Sequence, residues 1–386
     1  SILSLILIGS EREFSDGIIF GANCEYIPRD SMPKITIIAS DHGNGLIAML
    51  FLTTVAKADY NLIVPQKPSG GTSVWSQIVV QEWEKHLEEK INLIYKPGAR
   101  DQLGPNEFQK ELRFDNKTIL VSHGGNGISY LMEPVQYDYL DWESIGQMNL
   151  NIIVGANKTV KTGKVSIAAG SGMTPEIMAI TLLLTGPDQD PIEVFNKNIT
   201  WVKGMKGSER RLAFMRGDLN ATRENPAAYK KHVMPLIEKG VAYTWFHHGL
   251  LDVKSGQHVN DPNFTEPTFE TLYQETWGVA PSGDFYDAYK LVKSWRDALQ
   301  KAFWVNKDNP NKQKLVDALN KMIADPESMA NIEKKVGKYE WRTGTNGDEA
   351  VKTLKSFITP TALKTLTDFG NQQLGFNTVY KEQLTQ

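Results

Sequence analysis

The chain has 386 residues, 41% apolar and 23% charged, with 42 Lys+Arg against 45 Asp+Glu and a net charge of −3. That composition excludes a disordered or fibrous chain and leaves no concentrated basic face for nucleic acid. The single cysteine, Cys24, excludes an internal disulfide framework and a cysteine-built zinc site, and the length suits two domains.

The first segment with a recognisable role is the apolar run 46–55, followed by Ala56-Lys57-Ala58. A membrane span takes about 20 apolar residues, so the run is too short to cross. A short apolar stretch ending in a small-x-small triplet reads as a signal peptide, with cleavage expected after Ala58 and export into the periplasm. Residues 1–31, with a second apolar run at 2–8, read as upstream sequence, and Met32 offers an alternative start. Cleavage after Ala58 removes Cys24, which suits an oxidising compartment.

Downstream, residues 61–65 form a β-rich run stopped by Pro68-Ser-Gly-Gly71. Val74, Ile78, Val79, Trp83 and Leu87 then recur at three- and four-residue steps, the pattern of an amphipathic helix. Strands are expected at 91–95 and 118–122, the second ended by His123-Gly-Gly-Asn-Gly127. Another strand–loop–helix unit runs from 164 through Gly170-Ser-Gly172 into a helix at 175–184, with Thr174 as N-cap and Pro175 at its first position. Strands alternating with helices predict a mainly parallel α/β sheet. From Phe285 onward the chain reads as helices, with one apolar stripe through Tyr289, Val292, Trp295, Ala298, Leu299 and Ala302, and a short helix capped by Asp325-Pro326.

Three glycine-rich loops fall between a strand and a helix: Ser69-Gly-Gly-Thr-Ser73, Ser122-His-Gly-Gly-Asn-Gly127 and Ala169-Gly-Ser-Gly-Met-Thr174. Ligands of open α/β sheets bind at the carboxyl ends of strands, where free N–H groups and the positive end of a helix favour an anion. None of the loops matches G-x-x-x-x-G-K-[ST] or G-x-G-x-x-G, so a nucleotide enzyme is not expected. No G-x-S-x-G elbow is present, and a hydrolase would need a base and nucleophile brought together by the fold. His247, His248, Asp252 and His258 cluster in sequence, but adjacent histidines on a strand point to opposite faces, so no metal site is expected. The tryptophans read as core, with Trp75 and Trp201 singled out because they flank glycine loops.

These loops carry a resemblance. The stretch Val64-Pro-Gln-Lys-Pro-Ser-Gly-Gly-Thr-Ser-Val74 resembles the P-x-G-G-T-D-V segment of the periplasmic solute-binding receptors of tripartite tricarboxylate transporters, the Bug or TctC-like proteins. Tyr95-Lys-Pro-Gly-Ala-Arg100, Tyr137-Asp-Tyr-Leu-Asp-Trp142, residues 164–174, Thr200-Trp-Val-Lys-Gly204, Arg216-Gly-Asp218 and Ala324-Asp-Pro-Glu327 are similar to further markers, in that family's order, over about residues 60 to 380. The sequence departs from the pattern at Ser73, where the family has Asp, at Gln77, where it has Arg, and at Arg100-Asp101, where it has Gly-Gly.

The resemblance implies an α/β, two-lobed periplasmic-binding-protein fold of the type II, Venus-flytrap kind. Each lobe would be a mainly parallel sheet flanked by helices: residues 59–156 with 278–386 in one lobe, and 157–277 in the other, closing about hinges near 152–156 and Gly278. It implies a monomeric, non-enzymatic receptor without metal or cofactor. Such a receptor captures a small carboxylate-bearing acid and delivers it to integral membrane subunits, the carboxylate being held by backbone N–H groups and water rather than by an Arg clamp. The expected ligand residues are Ser69, Gly70, Gly71, Thr72 and Ser73, then Gly170, Ser171, Gly172, Met173 and Thr174, with Ser122, His123, Trp201 and Lys203 as weaker choices. Loss of the Asp at position 73 favours a more anionic ligand over an amino acid. The alternative is a sensing or surface interaction module of the same fold without a transport partner.

Overall fold

The computed structural model describes residues 35–41, 46–52, 60–169, 172–205 and 207–386. Contacts divide the chain into two units, 1–57 and 58–386. In the first, strands β1 (Ile35–Asp41) and β2 (Leu46–Leu52) pair antiparallel, with Ile35 opposite Leu52. The apolar run read as a signal peptide thus includes β2, while Ala58 and the segment 2–8 lie outside the described residues.

The second unit opens with β3 (Tyr60–Val64), α1 (Gly71–Leu87), β4 (Ile91–Tyr95), α2 (Leu103–Lys110), β5 (Thr118–His123), α3 (Gly124–Met132) and β6 (Trp142–Asn149). It continues through β7 (Ile153–Asn157), β8 (Val165–Ala169), α4 (Pro175–Thr185), α5 (Pro191–Asn198), β9 (Ile199–Lys203), α6 (Gly207–Arg216), β10 (Ala221–Glu224), α7 (Pro226–His232), α8 (Met234–Glu238) and β11 (Ala242–His247). The chain then forms a hairpin of β12 (Leu250–Asp252) and β13 (Gln257–Val259), followed by α9 (Phe269–Trp277) and α10 (Asp284–Ala298). It ends with β14 (Lys301–Asn306), α11 (Lys312–Ala324), α12 (Pro326–Val336), β15 (Glu340–Thr343), α13 (Thr345–Ser356) and α14 (Pro360–Gln372). Among the described residues no helix is long and apolar enough to cross a membrane.

A six-stranded sheet in the order β15-β6-β14-β5-β3-β4 forms one layer, and a three-stranded sheet β10-β7-β11 with the pair β8-β9 forms another. Both are α/β layers, as expected, but their strand directions are mixed. Strands β3, β4 and β5 run parallel, as do β8 and β9, where a helix crossover returns the chain. Strand β14 runs antiparallel to both neighbours, β15 runs antiparallel to β6, and the β10-β7-β11 sheet is antiparallel throughout.

Period-two side-chain alternation makes the six-stranded sheet the middle of a sandwich. Leu62, Val64, Ile119, Val121, Phe303 and Val305 face a core with Trp83 of α1 and Leu315 and Leu319 of α11. Ile63, Leu120, Ala302 and Trp304 face the opposite core, shared with Tyr130 of α3 and Trp295 of α10. That second core continues without a break into Ile167, Ile177, Ile180 and Phe246, so the layers of the two sheets share one apolar interior.

Most expected elements fall within a residue or two of their expected positions. The C-terminal part does not. The stripe through Ala302 predicts a helix, but α10 stops at Ala298 and β14 enters the six-stranded sheet between β6 and β5. No Gly or Pro separates the two, and alternation within six residues competes poorly with a strong helical stripe beside it. Pairing with β5 and β6, both distant in sequence, decides the matter. Val74 also leaves the α1 stripe: it is 41% exposed, and Trp75 takes the buried position instead.

Candidate functional site

Strands β3, β4 and β5 end on the same side, and the loops after them meet around Gln66. Its amide Nε2 donates to Asp101 Oδ2 at 2.8 Å, and its Oε1 accepts from the Thr72 backbone N–H at 2.9 Å. Ser73 Oγ donates back to the Gln66 carbonyl at 3.2 Å. The first glycine loop is therefore tied down by Gln66 from within. Gln77, where the family pattern has Arg, holds the same loop by donating to the Pro68 carbonyl at 3.3 Å, and it also donates to Tyr95 OH of β4 at 2.8 Å.

Asp101 sits on an unusual backbone. Gly98 has φ +142°, and Ala99, Arg100 and Asp101 follow with φ +48°, +56° and +69°. Three successive non-glycine residues in the left-handed region carry a steric cost of roughly 1–2 kcal/mol each. The effect of this loop is to bring the Asp101 carboxylate to His123 Nε2 at 3.0 Å and its carbonyl to Asn126 Nδ2 at 2.8 Å.

His123 is the N-cap of α3: Nδ1 accepts from the Gly125 N–H at 3.0 Å, while Asn126 Oδ1 accepts from the His123 N–H in a reciprocal capping box. An accepting Nδ1 leaves the proton on Nε2, which donates to Asp101. Burial lowers the His123 pKa against the opposing pull of Asp101. Burial also pushes the Asp101 carboxyl up, but the hydrogen bond from His123 and the neighbouring charges outweigh it and hold the group below its ordinary range. Ser122, one residue earlier, points the other way, and its Oγ accepts from the Trp304 indole at 2.8 Å in the core. Among the described residues the hydrogen bonds of His123 reach Asp101, Asn126 and Gly125, and none reaches a hydroxyl nucleophile.

Lys301, the first residue of β14, lies opposite His123 in the sheet and donates from Nζ to Thr72 Oγ1 at 3.1 Å. Burial pulls its pKa down to about 8 despite Asp101 nearby. Lys301 lines a cavity of about 600 Å³ that opens at the N-terminus of α1. The wall contributed by the six-stranded layer includes Gly71, Val74, Trp75 and Met148; Lys231 and His232 of α7 and Lys335 of α12 close other sides. No Asp or Glu is among the lining residues. The cavity therefore combines an unneutralised helix N-terminus with three lysines and one histidine. Helix α1 carries no acidic residue in its first turn and no side-chain cap.

The expected ligand residues scatter around this geometry. Gly71 lines the cavity, Thr72 touches Lys301, and Ser69 and Gly70 precede them on the loop. Ser73 is fully buried under Gln66. In the second loop, Gly124 and Gly127 serve packing: a Cβ at Gly124 would lie 2.4 Å from the Arg296 carbonyl, and one at Gly127 would lie 2.5 Å from that of Trp295. Gly170 and Ser171 lie outside the described residues. A Cβ at Gly172 would meet nothing within 4 Å, whereas Met173 and Thr174 are buried. Thr174 is the N-cap position of α4, as expected, but its hydroxyl makes no capping bond. Trp201 packs edge-on against Phe376 at 5.7 Å, and Lys203 lies over the same ring and donates to the Gly375 carbonyl at 3.1 Å. Both tie β9 to the C-terminal segment.

Behind the cavity, α4, α10, β10 and the segment after β11 bury a second set of charges. Arg296 grips Glu176 with Nη1 to Oε2 at 3.0 Å and Nη2 to Oε1 at 2.8 Å, and its Nε donates to Asp297 at 2.6 Å. His248 Nδ1 lies 2.9 Å from Asp297 Oδ2, and Arg223 Nε lies 3.5 Å from Glu176. Burial pushes the Glu176 carboxyl up, but Arg296 and Arg223 overcome it and hold the group well below the carboxylate range. His247 joins Asn260 and Glu266, and His258 joins Ser294, so the histidine cluster of the sequence divides among three neighbourhoods. Among the described residues no group of three His, Cys, Asp or Glu side chains is placed to hold a metal ion.

No family profile matches the sequence, and no curated protein sequence matches it. Solved structures do match. The periplasmic binding protein BugD superposes with a TM-score of 0.51 at 16% identity, covering 81% of this chain and 97% of its own. A TctC solute-binding protein from Polaromonas, without ligand, superposes with a TM-score of 0.52 at 14% identity, covering 79% of this chain and 97% of its own. The chain has the fold of the Bug and TctC periplasmic binding proteins. Sequence reasoning missed Gln66, Asp101, Lys231, His232, Lys301 and Lys335; of these only Asp101 carried a signal, as a departure from the family pattern.

Proposed function

We propose that this protein is an extracytoplasmic solute-binding receptor that captures a small organic acid in the cavity at the start of α1 and delivers it to a tripartite-tricarboxylate-type membrane transporter. The single observation that carries the reading is the cavity of about 600 Å³ lined by Lys231, His232, Lys301 and Lys335 and by no acidic side chain. An anion there meets cations and the positive end of α1 in a partly desolvated setting, where each interaction gains strength. The fold of two known periplasmic binding proteins supports the class, and the position of the cavity at strand carboxyl ends supports the place.

In this reading residues 59–156 with 278–386 form one lobe and 157–277 the other, and the ligand bridges them. Ser69 and Gly71 offer hydroxyl and amide donors from the first lobe, and Lys231 and His232 line the cavity from the second. The signal segment ends at Ala58, and the receptor works in the periplasm as a monomer without cofactor. Titrating residues 59–386 with mono-, di- and tricarboxylates while following Tm tests the proposal. A ligand at a hundredfold excess over Kd stabilises by about 2.7 kcal/mol. No stabilisation by any acid overturns it.

A further inference from the structure

We propose that the protein carries a second binding site, on the reverse of the strand segment that walls the α1 cavity, and that this site takes an uncharged, polyhydroxylated ring of the sugar class. The site goes beyond the receptor reading and does not depend on it.

Strand alternation builds it. At the end of β6 and just beyond, Met148 and Leu150 line the cavity at the start of α1, while Asn149 and Asn151 line a second cavity of about 470 Å³. On β15, Glu340 stands opposite Asn149, and Arg342 follows two residues along on the same face. The β12–β13 hairpin and the turn after it supply further walls through Leu250, Val253, Val259, Asn260 and Asp261. Tyr339 borders both cavities. The volume falls within the span of about 300–1,000 Å³ usual for small-molecule sites.

Two buried polar atoms in this wall lack partners. Asn149 is 1% exposed and Arg342 is 5% exposed. Asn149 Nδ2 donates to Glu340 Oε2 at 2.6 Å, but its Oδ1 accepts from no group among the described residues. Arg342 Nη2 donates to the Leu251 carbonyl and, at 3.2 Å, to Glu340 Oε2, while its Nη1 donates to none. A buried donor or acceptor left unmet costs about 1–3 kcal/mol, so a ligand that meets both removes a penalty already present in the fold.

The partners that are missing define the ligand. A hydroxyl donates and accepts at one atom, so hydroxyls on neighbouring ring carbons answer Asn149 Oδ1 and Arg342 Nη1 together. Charge on the ligand has little to answer. Arg342 already has Glu340, Asp252 accepts from the Ser255 hydroxyl, and Asp261 accepts from Asn151 and Asn263. Asp252, Asp261 and Glu340 also outnumber Lys338 and Arg342 on the walls, which disfavours an anion. Leu250, Val253, Val259 and the Tyr339 ring offer apolar surface to the C–H faces of such a ring.

The test is calorimetric titration of the full chain with glucose, galactose and maltose, and with glucuronate as the anionic counterpart. At least one neutral sugar should bind with a Kd of about 1 mM or tighter, and glucuronate should bind about tenfold more weakly than that sugar. Asn149→Leu removes the free acceptor and should weaken the sugar about tenfold. Because Asn149 also holds Glu340, a second variant leaves that pair alone. Val259 is 45% exposed on the hairpin, and Val259→Trp narrows the cavity and should weaken the sugar at least as much. Gly71→Trp, which fills the α1 cavity instead, should leave sugar affinity within about twofold. No binding of any neutral sugar up to about 10 mM overturns the proposal, as does glucuronate binding more tightly than all of them. Sugar binding that survives Val259→Trp and is lost in Gly71→Trp places the sugar in the α1 cavity and also overturns it.

Discussion

The molecule holds two groups of charges that differ in one respect. Around α4 and α10, Glu176 and Asp297 meet Arg296, Arg223 and His248, and every charge has an opposite partner within 4 Å. Around the start of α1, Lys231, Lys301 and Lys335 line a cavity with no such partner among the described residues. The first group is buried and closed; the second borders solvent and is open. In such a buried network of opposite charges the Coulomb pairing is complete although Glu176 Oε1, Arg223 Nε and His248 Nε2 make no hydrogen bond, and removing one member exposes the desolvation penalty of the others. A one-signed group stays tolerable only where water or a ligand reaches it. The contrast separates charges that are cancelled inside the fold from charges that stay open to solvent.

The largest effect should come from opening the closed group. Glu176→Gln leaves Arg296 with Asp297 alone and the nearby Arg223 without its Glu176 carboxylate, and should cost about 3–5 kcal/mol in denaturant unfolding. A loss under about 1 kcal/mol would show that the network contributes little. The pH profile follows the same logic. The folded pKa of Glu176 lies below its unfolded value. Its contribution is therefore present at neutral pH and disappears as acid protonates the group. Wild type and Glu176→Gln should thus converge in stability as pH falls through and below the carboxylate range.

Next come two glycines. Gly124→Ala drives a methyl against the Arg296 carbonyl and the Gln300 side chain, and should destabilise by about 1–3 kcal/mol. Gly71→Ala meets nothing within 4 Å. It should change stability by less than about 0.5 kcal/mol while its methyl enters the cavity and weakens anion binding. Equal stability effects at the two sites would erase the distinction between a packing glycine and a binding glycine.

Lys301 separates binding from folding by the direction of its pH response. Its folded pKa of about 8 lies below that of an unfolded lysine, with Asp101 and His123 the titratable groups that face it and Thr72 its hydrogen-bond partner. Affinity for an anion should fall as pH rises through about 8, because the cation is lost. Stability of the ligand-free protein should move oppositely. The unfolded state binds more protons above pH 8, so folding gains as pH rises relative to Lys301→Met, measured in parallel. Binding and stability curves that move together would assign Lys301 a structural role. The smallest effect belongs to Ala99→Gly, which relieves a left-handed residue at some entropic cost and should gain less than about 1 kcal/mol in chemical denaturation.

Much of this was legible beforehand. Strands β3, β4, β5 and β8 and helices α1, α4 and α12 stand where apolar periodicity, proline and capping residues placed them, since those signals act over a few residues. The loop before α1 was legible too, through Gly71 and the family resemblance. The charge sets were not. Lys301 follows a helical stripe in sequence, and only pairing of β14 with β5 and β6 turns it toward Thr72. Lys231 and Lys335 look like solvated charges on amphipathic helices until the fold turns them to one cavity. Glu176 looks like a favourable first-turn acid of α4, and its burial becomes visible only when α10 brings Arg296 to it.

By itself, then, the sequence determined the local elements, the alternation that divides each strand between two cores, and the absence of a basic face or a cysteine framework. Those properties follow from side-chain period and composition, which need no partner. The tertiary structure decided where β14 pairs, which glycines pack and which stay open, and which charges are cancelled. Each of those depends on residues distant along the chain, whose fields and volumes meet only after folding.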